Sequence, residues 1–421
     1  MKQDESAMAE DPSSASVVSY QRRLALWDTL SAADFKWLLL GQVCTSAADW
    51  MEQIARSWLI WELTHSPAQL GLVSFARAIP ILLWAVPLGV ALDRLDKRRL
   101  LGICQMANVL APLVLAVLIL TGQVQAWHVY LFAFVTGSAM IFQQPIRTSL
   151  VPYVVEEGQT LNAMSLNQMA NNITRVFAPG LAGALVGIIG TGGVFTIEGL
   201  IFALGVATTA LMKLPPTSGR RVSIAFSVVD GFRHIGHNRP VLSLLVFGLV
   251  PVAFIWPYMT LLPIFADQVL EVGAWGLGIL TSAPGIGAVV GALGLASLRN
   301  FKGKGKINLL AVLASGLLLA IFSRSPWLAL SLPMLVGHGM AMTSFTATLN
   351  TLLITHSPKE YHGRVMGAYV LVQGISPFAN LSAGLLAQGI GAPLALSLMC
   401  GTSIILTGIA RKQGPQLWKM D

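Results

Sequence analysis

Residues 89–121 read GVALDRLDKRRLLGICQMANVLAPLVLAVLILT. A dense group of charges from Asp93 to Arg99 is followed by Leu100–Thr121, which holds no Asp, Glu, Lys, Arg or His. Such a run matches the roughly 20 apolar residues a helix needs to cross the hydrocarbon of a bilayer. In lipid a segment must satisfy its own backbone N–H and C=O groups, and an α-helix does so. Basic residues against one end of the run hold that end on the cytoplasmic side.

The same pattern recurs along the chain. Apolar runs between polar breaks predict twelve spans: 36–63, 68–92, 100–121, 127–150, 162–189, 193–213, 241–266, 276–298, 307–323, 327–356, 365–389 and 393–410. The 421 residues are 54% apolar and 11% charged, with a mean hydropathy of +0.68. Soluble domains carry about a quarter charged residues, so this composition calls for a non-aqueous surrounding. Barrel strands give a much weaker hydropathy signal. The expected fold class is therefore an all-α membrane protein of twelve transmembrane helices.

Sorting the 27 Lys and Arg residues tests this count. The N-terminal tail, the even-numbered loops and the C-terminal tail take 23 of them, with Arg147 assigned to the loop after the fourth span. The odd-numbered loops take only Arg324, and Arg56, Arg77 and Arg175 fall inside spans. This asymmetry predicts both termini in the cytoplasm, and one missed helix would scramble it. The formal charge of +8 then belongs to membrane loops and does not point to nucleic acid.

The longest internal polar segment divides the chain. The expected organisation is a cytoplasmic tail over 1–34, a six-helix bundle over 35–213, a cytoplasmic loop over 214–240, a second six-helix bundle over 241–410 and a cytoplasmic tail over 411–421. Val222–His237 could lie on the membrane as a short helix. The tail Met1–Ser19 is polar and acidic, with no apolar segment before a cleavage site, so it reads as a disordered tail rather than a signal peptide. Cys44, Cys104 and Cys400 sit in apolar runs without pair or metal spacing, so neither a disulfide nor a metal site is expected. No nucleotide-binding glycine loop is present, the seven His residues are scattered, and no cofactor or enzyme activity is expected.

Ionisable groups inside a membrane cost roughly 2.5–3.5 kcal/mol each on insertion scales. They should face a wet cavity or a partner. Asp49, Glu52 and Arg56 are spaced by three and then four residues, which puts them on one face of the first span, with Thr45 extending the stripe. They read either as a proton or substrate site or as a structural Glu52–Arg56 pair. Arg175 could bind an anion, hold Asp49 or form a fixed interhelical pair; Arg77, before Pro80, reads more readily as structural. Glu198 has no local partner and is either a second titrating group or near the outer surface. Trp50, Trp58, Trp61, Trp256 and Tyr258 are core or lipid-facing residues, or could stack on an aromatic ligand. Pro251, Pro257 and Pro263 predict kinks in the seventh span.

Gly89, Asp93, Arg94, Arg98 and Arg99 resemble the signature loop of the major facilitator superfamily: a glycine, Asp-Arg four residues on, then a basic pair. The resemblance implies a cytoplasmic gate motif here. Its second-half counterpart is weaker, with Ser297 near the position of the Asp. Pro145–Pro152, Leu161–Asn167, Asn172–Gly183 and His362–Gly367 are similar to the branch of enterobactin exporters and related drug or siderophore efflux proteins. Within them Pro179, Gly180 and Gly183 resemble the antiporter motif of exporters, with Ala178 where a glycine usually stands. Gly183 with Gly187, and Gly287 with Gly291, form small-xxx-small faces that plain helix packing also explains. The resemblance implies a monomeric, multi-pass transporter of the bacterial inner membrane. It would export a small amphipathic molecule against protons by alternating access, with proton-coupled uptake as the alternative.

Overall fold

A computed structural model describes residues 33–84, 97–156, 158–212, 236, 238–297, 303–413, 418 and 420. Helix α1 is Ala33–Thr64. Helix α2 opens with Pro67–Ala78 and belongs to the span Pro67–Trp84. Helices α3 and α4 are Lys97–Leu120 and Ala126–Val154. The next helix, Thr160–Leu211, is broken at Gly190, whose φ of 72° and ψ of 173° suit glycine and strain other residues. Its parts, 160–189 and 191–211, are α5 and α6. The span Arg239–Val269 is α7. Gly273–Ser297 is α8, Lys304–Arg324 is α9 and Leu328–Thr355 is α10. The span Lys359–Ile390 is α11, and Ala392–Gln413 is α12.

Ten stretches of the described residues are long and apolar enough to cross a membrane. Thr160–Leu211 counts once among them, and α1 is absent because Gln42, Asp49, Glu52, Gln53 and Arg56 make it more polar. Dividing the former at Gly190 and adding the latter gives twelve helical segments among the described residues. On α3 the exposed side chains Ile103, Met106, Leu110, Val114 and Val117 recur at helical spacing. A continuous apolar face of this kind suits lipid rather than water.

Helix α7 is interrupted, as its prolines predict. Pro lacks the N–H that continues a helix. Pro251 lies in the first piece, Arg239–Phe254, and Pro263 in the second, Tyr258–Ile264. Between them Ile255 and Trp256 both donate to the Pro251 carbonyl. A π turn over Phe265–Val269 ends the helix.

In the first six helices, α1 and α3 pack on the α5–α6 pair, α3 on α4, and α2 on α4. In the last six, α10 packs on α8 and α9, and α12 on α9 and α11. The two sets meet where α2 packs on α11 and α5 on α8. Glycines make both seams close. A Cβ on Gly384 would lie 2.8 Å from the Gly71 Cα, and one on Gly278 would lie 3.0 Å from the Gly183 Cα. Hydrogen bonds cross at the same level. Trp61 Nε1 donates to Asp267 Oδ2 at 2.9 Å, and Ser66 Oγ donates to Gln388 Oε1 at 2.8 Å. These contacts lie at the end of the bundle where α1 gives way to α2, opposite the end where α1 starts.

The seams revise one expectation and agree with another. Gly187 meets nothing within 4 Å, so Gly183 does not pair with it in a contact face; Gly180 and Gly183 face Ser282 and Gly278 instead. Gly287 and Gly291 do pack closely, against Val336 and Met340 of α10. Gly89, Asp93, Arg94, the Arg98 side chain, the tail 1–32 and all of 222–237 except Gly236 lie outside the described residues. Arg99 is exposed in the first turn of α3.

Candidate functional site

The charged stripe of α1 is built into a buried network. Glu52 and Arg56 are 1% and 6% exposed. Arg56 Nε donates to Glu52 Oε1 at 2.6 Å, which is the i,i+4 pair the spacing allows. A second cation arrives from α2: an Arg77 terminal nitrogen lies 2.9 Å from Glu52 Oε2 and 3.8 Å from Asp49 Oδ1. Gly137 of α4 makes this approach possible, because a Cβ there would collide with the Arg77 carbonyl. Arg77 is thus the bridge between the two acids of α1.

Glu198 does not lie at the outer surface. It is fully buried on α6, and neither carboxyl oxygen has a hydrogen-bond partner. The charges of Glu52, Asp49, Arg77 and Arg56 all act on it. The two acids of α1 and the two arginines balance. An ionised Glu198 would make this group of five net negative, with no hydrogen bond to offset its burial.

Arg147 belongs to the buried interior and not to a loop. It sits inside α4 at 3% exposure, and its three guanidinium nitrogens have no hydrogen-bond partner. Gly41 of α1 lies beside it; a Cβ there would only touch an Arg147 nitrogen at 3.4 Å but would collide with the Thr208 hydroxyl of α6 at 2.6 Å. Buried polar side chains accompany it on α4 and α3: Gln143 accepts from Asn108 at 2.9 Å. The sequence signal for this burial is its place inside the predicted span 127–150.

Arg175 does not hold Asp49. Its guanidinium lies 5.5 Å from the Trp50 ring centroid, in cation–π geometry. Across the bundle, Tyr258 of α7 and His338 of α10 meet edge to face at 4.6 Å, and the charge of Arg175 reaches both. His338 Nδ1 is 2.7 Å from Ser315 Oγ of α9. Trp50 and Trp256 are half-buried, whereas Trp61 is buried and committed to Asp267. Of the helix α5 motif, Pro179, Gly180 and Gly183 lie in the α5–α8 seam: a Cβ on Gly278 would be 2.6 Å from the Pro179 carbonyl oxygen.

Comparison with known proteins agrees with this architecture. The chain is 23% identical to the Staphyloferrin A transporter of Staphylococcus aureus (strain NCTC 8325 / PS 47), covering 85% of this chain and 91% of the relative. It is 24% identical to Multidrug efflux pump Tap of Mycolicibacterium fortuitum, covering 91% and 96%. The solved structure of the nucleoside transporter NupG superimposes with a TM-score of 0.76 at 14% identity, covering 92% of this chain and all of that one. This likeness establishes the fold, a major facilitator bundle. Residues 25–420 match the family described as Transmembrane secretion effector. The chain therefore belongs to that family of the major facilitator superfamily and is a multi-pass membrane transporter, not an enzyme.

Proposed function

We propose that the chain is a proton-coupled exporter of a small amphipathic molecule, of the siderophore or drug type, working by alternating access between two six-helix bundles. The observation that carries this is the set of carboxyl groups, Asp49, Glu52 and Glu198, gathered inside the helix bundle. Glu52 is ion-paired with two arginines at 2.6 and 2.9 Å, but Asp49 is held only at 3.8 Å and Glu198 by no hydrogen bond at all. Loosely held carboxyls in a membrane are able to take up and release protons as their surroundings change. Asp49 shares the cation Arg77 with Glu52, so a proton on Asp49 frees part of that cation's field for the rest of the network.

Export is supported by the relatives whose names state efflux and by the exporter-like motif lying in the α5–α8 seam. The distribution of Lys and Arg supports cytoplasmic termini. In that orientation the closed seams lie on the outer side of the membrane. The protein acts as a monomer in the bacterial inner membrane.

Proton flux in everted vesicles tests the reading. Respiration acidifies the lumen, and adding a substrate to an exporter draws protons out of it. Lipophilic cations and catecholate chelators are added one at a time. Wild type is expected to release lumenal protons with at least one of them, and Asp49→Asn and Glu198→Gln are expected to lose the release. Full release by the double variant would falsify the proton site, and proton flux of opposite sign would mark uptake symport.

A further inference from the structure

We propose that the central site takes a planar or aromatic organic carboxylate, its acidic group held by Arg175 and its ring lying beside Trp50. The inference deepens the transport reading of the same site and does not depend on proton coupling or on direction. It starts from a charge count. An arginine keeps its proton under all ordinary conditions, while a carboxyl can become neutral by taking one up. Among the described residues, Arg56 and Arg77 are answered by Glu52 and Asp49. Arg147 and Arg175 have no carboxylate oxygen of the described residues within 4.0 Å. Glu198 is the one other buried carboxyl among the described residues of these helices, and its ionisation would offset only one of these two cations, so surplus positive charge remains whatever its protonation.

Accessibility separates these two cations. Arg147 is sealed at 3% exposure, whereas Arg175 is half-buried and reachable. Arg175 stands where the first six helices face the last six, with Trp50 on one side and Tyr258 and His338 within reach of its charge. Its backbone is held by the α5–α8 seam, where a Cβ on Gly285 would stand 3.2 Å from the Arg175 carbonyl oxygen. Stacking on Trp50 uses the face of the guanidinium. The N–H groups around its edge stay available, and that edge matches a carboxylate in two parallel hydrogen bonds. A guest with both an acidic group and a flat apolar body satisfies the cation and the indole together. A cationic guest would meet like charge.

Equilibrium binding to the purified full-length protein in detergent, by titration calorimetry, tests the assignment without a gradient. The probes are salicylate, citrate and tetraphenylphosphonium. Salicylate is expected to bind wild type, and more tightly than citrate, while tetraphenylphosphonium does not. Arg175→Gln should weaken salicylate by about 10- to 100-fold, the worth of a hydrogen-bonded charge. Arg175→Lys, which keeps the charge but not the fork, should fall between the two. Thermal melting checks that each variant is folded, and Trp50→Leu, expected to erase the preference for salicylate over citrate, decides the matter should Arg175→Gln not fold. Tighter binding of tetraphenylphosphonium than of either anion overturns the inference. So does wild-type affinity in Arg175→Gln, or no binding of either anion up to about 10 mM. Any of these results beside intact proton release in vesicles would leave the transport reading standing and remove only the anion.

Discussion

Gly278→Ala should push the transporter out of the state described here. The added Cβ would stand 2.6 Å from the Pro179 carbonyl oxygen, 3.0 Å from the Gly183 Cα and 3.2 Å from the Gly180 Cα. These are mainly backbone atoms, which cannot rotate away as a side-chain end would. Helices α5 and α8 must therefore separate by several tenths of an ångström wherever the seam is closed. Overpacking of this kind costs about 1–3 kcal/mol. It is felt only with the seam closed, so the closed-to-open ratio should fall by about 5- to 150-fold. A reporter lies in the seam itself. Ser282 faces Gly180, and Ser282→Cys should react with a membrane-impermeant maleimide only when the two helices part. The native cysteines are buried and give little background. Labelling from outside should rise in Gly278→Ala. Gly187→Ala is the control on α5, because nothing lies within 4 Å of the added atom, and it should label like wild type. Equal labelling of Gly278→Ala and wild type, with both folded, would refute the seam as the closed gate.

Two further outcomes follow from the geometry. Glu52→Gln leaves Arg56 and Arg77 buried with one anion fewer, so a loss of about 3–5 kcal/mol is expected, read as a lower melting temperature; a variant as stable as wild type would mean that the pair does not hold the fold. Trp61→Phe keeps the ring but removes the N–H donated to Asp267 across the two sets of helices. It should weaken closure by about 1.5–3 kcal/mol, seen as increased Ser282→Cys labelling, and unchanged labelling would make that bond dispensable.

What the sequence determined by itself is the set of helices. Lipid offers no partners for backbone groups, so length and apolarity decide where a chain can be helical, and both are local properties. Leu100–Thr121 and its counterparts announce the spans, the turn at Gly190 falls between the predicted spans 162–189 and 193–213, and the prolines of α7 announce its interruption. The helical period likewise puts Asp49, Glu52 and Arg56 on one face. Which groups those charges meet is another kind of question. It depends on how each helix is rotated about its axis and how near its neighbour can come, and no single segment encodes either. Gly137 lets Arg77 reach Asp49 and Glu52, and Gly41 makes space for the Thr208 hydroxyl of α6. Glu198, nearly 150 residues beyond Glu52 in the chain, enters the same field only because α6 packs on α1. Gly183 and Gly187 are equal in the sequence, yet one touches α8 and the other faces open space. Pairing across a bundle is a long-range packing outcome, and so the site belongs to the tertiary structure while the helices that carry it belong to the sequence.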